Sequence, residues 1–339
     1  MPNYQGVWSL STQFQNASGW KADNPVPISG DIALFAGGEE NGGLEVNTIQ
    51  YITITSSGNG TDFGDLSQGR MAMGTVSSST RGVFGGGKED VAGNVDTIEY
   101  VTISTLGNAT NFGSLSNARQ WTSGVSSSTR GVFMGGFDSG GETNVIEYIT
   151  IATTGNATDF GDTTVSRYGG ANGNINSTTR GVLAGGQNSS GSQNVIDYIT
   201  IATTGNATDF GDILSNRAYA AGTSSSTRGI IAGGRDFGAG LTQDGVNTNV
   251  IQYITIASTG NATDFGDLNQ ATRRFSGTSN STTGVFGGGK FYNGSSDSFV
   301  FDLQSITIAS TGNASDFGDL IGTGTEGIAA LSNSHGGLS

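Results

Sequence analysis

The chain has 339 residues, with 58 Gly, 3 Pro, 12% charged side chains and a formal net charge of −14. An acidic chain repels phosphate backbones and anionic bilayers, so nucleic-acid binding and membrane docking are not expected. There is no Cys, which excludes disulfides, thiolate nucleophiles and zinc–thiolate sites, and no run of about 18 apolar residues offers a transmembrane helix.

In chain order, residues 1–29 come first and stand outside the periodicity that follows. Met1-Pro2-Asn3-Tyr4 is not a basic segment leading into an apolar run, so no signal peptide is expected. Trp8, Leu10, Phe14 and Trp20 are apolar yet lie outside the repeat, which makes them candidate anchor residues of an N-terminal arm.

Residues 30–339 repeat. A Gly-Gly pair ends an apolar run at Gly38, Gly87, Gly136, Gly186, Gly234 and Gly289, at spacings of 49, 49, 50, 48 and 55 residues. Each unit reads as four strands, a to d. Strand a ends in a Ser/Thr tract such as Ser126-Ser127-Ser128-Thr129, and a turn through Arg130-Gly131 leads into strand b, Val132-Phe133. Strand c alternates with period 2, as in Ile146-Glu147-Tyr148-Ile149-Thr150-Ile151, so one face is expected to be buried. A Gly155-Asn156 turn, both residues tolerant of positive φ, precedes strand d with its Asp159-Phe160-Gly161. A four-stranded unit cannot bury both faces alone, and stacking the units in a ring leaves no bare end. The first unit lacks strand a, while Ile328-Ala329-Ala330-Leu331-Ser332-Asn333-Ser334-His335-Gly336 supplies a strand a with no strand b after it. The expected fold is therefore all-β: a six-bladed β-propeller closed by pairing the C-terminal strand with the N-terminal blade.

These residues resemble kelch and galactose-oxidase-like propellers. The Arg leading strand a matches at Arg70, Arg119, Arg167 and Arg217, and the strand c Tyr at Tyr51, Tyr100, Tyr148, Tyr198 and Tyr253. Phe63, Phe112, Phe160, Phe210, Phe265 and Phe317 stand at the family's Trp position, and Ser305 departs from the Tyr pattern in blade six. A copper-radical oxidase of that family would need Cys and several His, so that activity is excluded here. Gly6-Val7-Trp8-Ser9-Leu10-Ser11-Thr12-Gln13-Phe14-Gln15 and the Thr-Gly-Asn-Ala-Thr-Asp-Phe-Gly-Asp copies are similar to segments of structural and tail-fibre-like proteins of marine bacteriophages. That resemblance implies a virion location.

Single-site chemistry finds little support. The lone His335, aligned with the turn Arg of other copies, reads as a structural turn residue, although a Ser-His-Asp triad is open in principle. The pairs Asp62/Asp65, Asp159/Asp162, Asp209/Asp212, Asp264/Asp267 and Asp316/Asp319 invite a Ca²⁺ or glycosidase reading. Their recurrence favours a structural part, with each Asp bonding its own turn. Arg81, Arg130, Arg180 and Arg228 are expected to pair with acids or carbonyls at blade junctions. The Gly-Gly pairs lack the following helix that a phosphate loop requires. No cofactor is expected.

The a–b and c–d loops, which share one face of a propeller, hardly change between units, whereas the b–c loops differ in length and content. The two longest, in blades five and six, bring Arg235, Phe237, Phe291, Tyr292, Phe299 and Phe301 near Arg273 and Arg274 of the d–a loop. Aromatic and Arg side chains are the types that dominate recognition surfaces. The expectation is a non-enzymatic virion or tail-fibre-like protein. It would display this face to a host-surface glycan or protein, and its arm would join other virion proteins, as a homo-oligomer within the assembly. A purely structural connector or decoration protein is one alternative. The other is a depolymerase, whose acids would come from Asp236, Asp244, Asp297 and Asp302.

Overall fold

A computed structural model of the chain describes residues 28–236, 245–322 and 324–338. Phe237, Asp244 and the four anchor residues of the arm lie outside them.

The described residues contain no helix and form six radial sheets. Blade one consists of Ala329–Ser332, Ile32–Ala36, Thr48–Thr53 and Thr61–Asp65 from the axis outward. Its inner pair is antiparallel, with Ala33 opposite Ser332 and Ala36 opposite Ala329, so the ring closes between the two ends of the repeat. Blade three shows the regular unit: Ser123–Ser126, Arg130–Met134, Val145–Thr150 and Thr158–Asp162.

Six apolar clusters fill the six junctions between neighbouring blades. Between blades two and three, for example, Val76, Val83 and Phe112 pack on Phe133, Ile149 and Ile151. The pairing of strands c and d is bulged opposite Ile146 and Glu147, with Phe160 of strand d as the extra residue, and the equivalent bulge recurs in every blade. Strand c itself alternates: Ile146 enters the apolar junction with blade four, and Glu147 is buried on the other face, beside the linker that enters its blade.

That buried position carries an oxygen acceptor in all six blades. Glu99, Glu147, Asp197, Gln252, Gln304 and Gln50 accept the backbone N–H of Ser67, Ser116, Thr164, Leu214, Asn269 and Ile321, respectively. Where the acceptor is a carboxylate, the strand a Arg completes an ion pair: Arg70–Glu99, Arg119–Glu147 at 2.7 Å and Arg167–Asp197 at 2.8 Å. Arg217 faces Gln252's blade instead and donates to the carbonyls of Gly233 and Val250. Burial lowers the pKa of all four guanidiniums, and the facing carboxylates oppose that shift in the first three.

Two further sets of bonds tie each blade to the next. Arg81, Arg130, Arg180 and Arg228 donate to the carbonyls of Ile151, Ile201, Ile256 and Ile308 in the following blade. Each lies over the strand c Tyr of its own blade at 4.1–4.4 Å, and that ring meets the strand d Phe edge-on. The expectation of carbonyl partners at the junctions is met. At the rim, the Asn of each Gly-Asn turn accepts from the backbone of the preceding blade, as in Asp162 N–H to Asn206 Oδ1 at 3.1 Å. Six such bonds close a circle. Of the turn pair, Gly155 alone takes positive φ, while Asn156 serves as this clamp. The Gly of Asp-Phe-Gly makes room for the clamp. Gly161 has φ +146°, and a Cβ there would fall 2.5 Å from the Gly205 carbonyl oxygen.

Candidate binding face

The b–c connections are two-stranded ribbons in all six blades, from Glu39–Glu40 with Leu44–Glu45 in blade one to Lys290–Tyr292 with Asp297–Phe299 in blade six. Each ribbon bridges at its base to the d–a linker entering its blade, for example Gln120 to Phe137 and Arg273 to Lys290. The ribbons therefore stand as a crown around the axis on one face.

Inside the crown, six linker residues meet at the axis. Ala72, Trp121, Gly169, Tyr219, Arg274 and Gly327 all have φ between 54° and 65°. Each donates its backbone N–H to the carbonyl of the preceding one, at 2.6–3.2 Å, and Ala72 donates to Gly327, so the circle closes. Among the described residues, the non-glycine residues with positive φ are the four in this ring.

Three large side chains rise from the ring. Trp121 and Tyr219 meet edge to face at 4.7 Å, and the Arg274 guanidinium lies 5.5 Å and 5.0 Å from their ring centres. Tyr168 contacts Tyr219 on one side and Phe137, of the blade three ribbon, on the other. Gln187 donates to both tyrosine hydroxyls. Burial pushes the Tyr219 pKa up, so its hydroxyl stays protonated. On the far side Arg274 and Lys290 share Glu326, at 3.1 Å and 2.6 Å. Burial alone would lower the Arg274 pKa, but the Glu326 charge, Tyr219 and the hydrogen bonds to both together outweigh it, and the net shift is upward. Lys290 also lies over Phe299.

Of the predicted residues of blades five and six, Arg235, Arg273, Phe291, Tyr292, Phe299 and Phe301 lie on or against the ribbons of this face. A cavity of about 580 Å³ between the two ribbons is lined by Arg235, Val246, Asn247, Ala271, Arg273, Tyr292 and Asp297. Arg273 holds Asp297 through two bonds, 3.0 Å and 2.6 Å, which keep that carboxyl below its ordinary pKa. Tyr292 and Phe301 are exposed, whereas Phe291 and Phe299 are half-buried. Arg274 points to the axial group instead. The equivalent groove between the ribbons of blades two and three, about 540 Å³, is lined by Asn94, Asn117, Asp138 and small residues and carries no ring or cation.

Neither the models of known protein families nor the curated proteins include a match to this chain. The geometry of the face therefore carries the functional reading.

Sequence reasoning missed the axial group because Trp121, Tyr168 and Tyr219 are far apart in the chain. The signal was present in the copies: the second residue after the strand a Arg is Ala, Trp, Gly or Tyr, with Arg and Gly at the matching positions of blades six and one. Two features along the axis differ from the sequence expectation. His335 does not replace the turn Arg. The blade one residue equivalent to that Arg is Ile32, opposite Thr53 as Arg130 is opposite Thr150. His335 turns into the axis, fully buried, between Ser126 Oγ at 3.2 Å and the Asn176 amide at 3.3 Å. Blade four, in addition, has no regular strand a. Nine residues separate Arg167 from Asn176, against seven from Arg119 to Ser126. The two extra residues push 172–174 across the axis, where Asn172 bonds to Ala220, Gly222, Gly277 and Ile328 of three other blades. Gly173 has φ +121°, and a Cβ there would fall 2.0 Å from the Gly222 carbonyl oxygen. The axis is thus occupied by the chain itself.

The paired aspartates lie on strand d at the rim, one pair per blade in five blades, and the recurrent bond is made by the backbone of the second Asp. Among the described residues, no three His, Cys, Asp or Glu side chains converge as a metal site would require. Asp302 has its pKa raised by burial and then by Asp319 and Asp316.

Proposed function

We propose that this is a kelch-type propeller serving as a non-enzymatic recognition component of a bacteriophage virion, with the ribbon face turned to a host-surface glycan or protein. The observation that carries the reading is the division of labour between the two faces. The a–b and c–d turns are spent, copy after copy, on bonds between blades, while the ribbon face varies and gathers the rings and cations the repeat does not use. Eight of the Arg residues serve the repeat as buried partners or junction clamps. The remaining cations among the described residues, Lys88, Arg235, Arg273, Arg274 and Lys290, all lie on the ribbon face. Rings beside Arg are the side chains that anchor most recognition surfaces. The phage assignment and virion location rest on the resemblance of the leader and of the Thr-Gly-Asn-Ala-Thr-Asp-Phe-Gly-Asp copies. Under it, the N-terminal arm joins other virion proteins in a homo-oligomeric appendage.

The test is binding of labelled protein to a panel of bacterial cells and their extracted surface polysaccharides, beside Tyr292→Ala. Tyr292 is 59% exposed, so its loss leaves the fold intact. Saturable binding that weakens in the variant is expected. Binding that is undiminished by Tyr292→Ala would remove the groove between the ribbons of blades five and six from the recognition surface, and binding that never appears would sink the recognition reading itself.

A further inference from the structure

The ring at the axis holds bulky residues in a backbone conformation that disfavours them. A left-handed φ is disfavoured for an L-residue, and Gly169 and Gly327 show that glycine satisfies the same hydrogen-bonded circle. Ala72 shows that the circle imposes the conformation whatever the side chain. Trp121, Tyr219 and Arg274 nevertheless occupy it, side by side, in blades three, five and six. Strain of this kind, confined to a cluster of side chains that recognise ligands, points to a use for the side chains themselves.

We propose that the axial cluster is a binding platform for a neutral hexopyranose of a glycan, with Trp121 and Tyr168 as its stacking surface. Three observations specify the ligand class. Trp121 and Tyr168 are half-buried, unlike Tyr219 beneath them, so they offer ring surface inside the crown. The C–H face of a pyranose takes such a surface. Gln120, half-buried beside Trp121 in the chain, carries an amide that can donate to and accept from hydroxyls, and Gln187, whose NH2 is held by the Tyr168 and Tyr219 hydroxyls, offers its carbonyl oxygen as an acceptor. The nearby cations are committed: Arg274 and Lys290 both bond Glu326, and Arg273 holds Asp297. A carboxylated sugar would have to displace those acids, in a chain of net charge −14. The circle beneath is closed by six backbone hydrogen bonds, which hold the backbones of the three residues in place before a ligand arrives and so lower the ordering cost of binding. This platform is separate from the Tyr292 cavity, and the proposal rests on the reading of the ribbon face as a glycan-recognition surface.

The test is ligand-detected saturation-transfer NMR on the full chain with the methyl glycosides of glucose, galactose, mannose and N-acetylglucosamine. Glucuronate and N-acetylneuraminate form the acidic arm. Transfer from at least one neutral glycoside is expected, and Trp121→Gly should weaken its binding by about tenfold or more. That variant relieves the strained φ and is expected to keep the fold. Phe137→Ala, on the neighbouring ribbon, provides a second reading and should weaken binding by a smaller factor. Transfer from the acidic sugars alone, transfer unchanged in both folded variants, or no transfer from any glycoside would overturn the proposal. A protein that binds cells and yet shows no transfer would lose this platform while keeping the broader reading.

Discussion

Glu147 and His335 show how much a single buried side chain can decide in this ring. Glu147 satisfies the Ser116 N–H and neutralises Arg119, whose guanidinium is almost fully buried. Glu147→Ala is expected to cost about 3–5 kcal/mol, because it strands a buried charge and leaves the Ser116 N–H without its acceptor. Glu147→Gln also removes the countercharge but keeps an oxygen for that N–H and the guanidinium, as Gln252 does for Leu214 N–H in blade five, and should cost less. Urea melts of the two variants check the ordering, and equal losses would refute it. His335 is neutral in the axis, its pKa pushed down to about 4 by burial, with a backbone bond at Ser77 opposing the shift. An unfolded His titrates near 6.5. Between those values the unfolded chain binds the extra proton, so stability falls as pH drops from about 6.5 to about 4, by roughly 3 kcal/mol in all. Below that window this group adds no further slope. Denaturation at a series of pH values should give a shallower dependence for His335→Gln than for the parent chain, and identical slopes would remove His335 as the cause.

Strands and turns were largely legible in the sequence, and the reason is repetition. Strand c announces itself by alternation, and strand d by Asp-Phe-Gly, because each must meet the same neighbours six times. What sequence reasoning missed depended on comparing copies position by position: the Glu, Asp and Gln acceptors, the two-residue excess before Asn176, and the residues that line the axis. The clamp elements illustrate the point. Blade six lacks both partners of the cation–ring pair, with Thr283 where blades two to five have Arg and Ser305 where the other five blades have Tyr. Blade one keeps Tyr51 but has Ile32 at the Arg position, so the ring stands without the cation, whereas every Arg at this position has its ring. Restoring both, as Thr283→Arg with Ser305→Tyr, should join blade six to the Ile54 carbonyl of blade one and add roughly 0.5–1.5 kcal/mol. The single Thr283→Arg change should add less. Thermal melts of the single and double variants read this directly, and a double variant no more stable than the single would count against the pairing.

At the scale of the molecule, the same closure serves every ring of bonds at once. Ala329–Ser332 completes blade one, Gly327 completes the axial circle, and Ser332 Oγ donates to the Ser279 carbonyl of blade six. Removing residues 328–338 should therefore abolish the cooperative unfolding transition rather than lower its midpoint by a few degrees. A truncated chain that stayed monomeric with an unchanged melting temperature would refute a ring held as one unit. The closing contact also has a temporal side. Ile32 and its partner Asn333 are 301 residues apart, so the edge of Ile32–Ala36 leaves the ribosome long before the strand that covers it. At about 5–20 residues per second that edge waits roughly 15–60 s with its hydrogen-bonding groups open to any other nascent chain. Each molecule in a polysome is thus a template for its neighbour's final strand, and the yield of closed rings will depend on how widely the translating ribosomes are spaced.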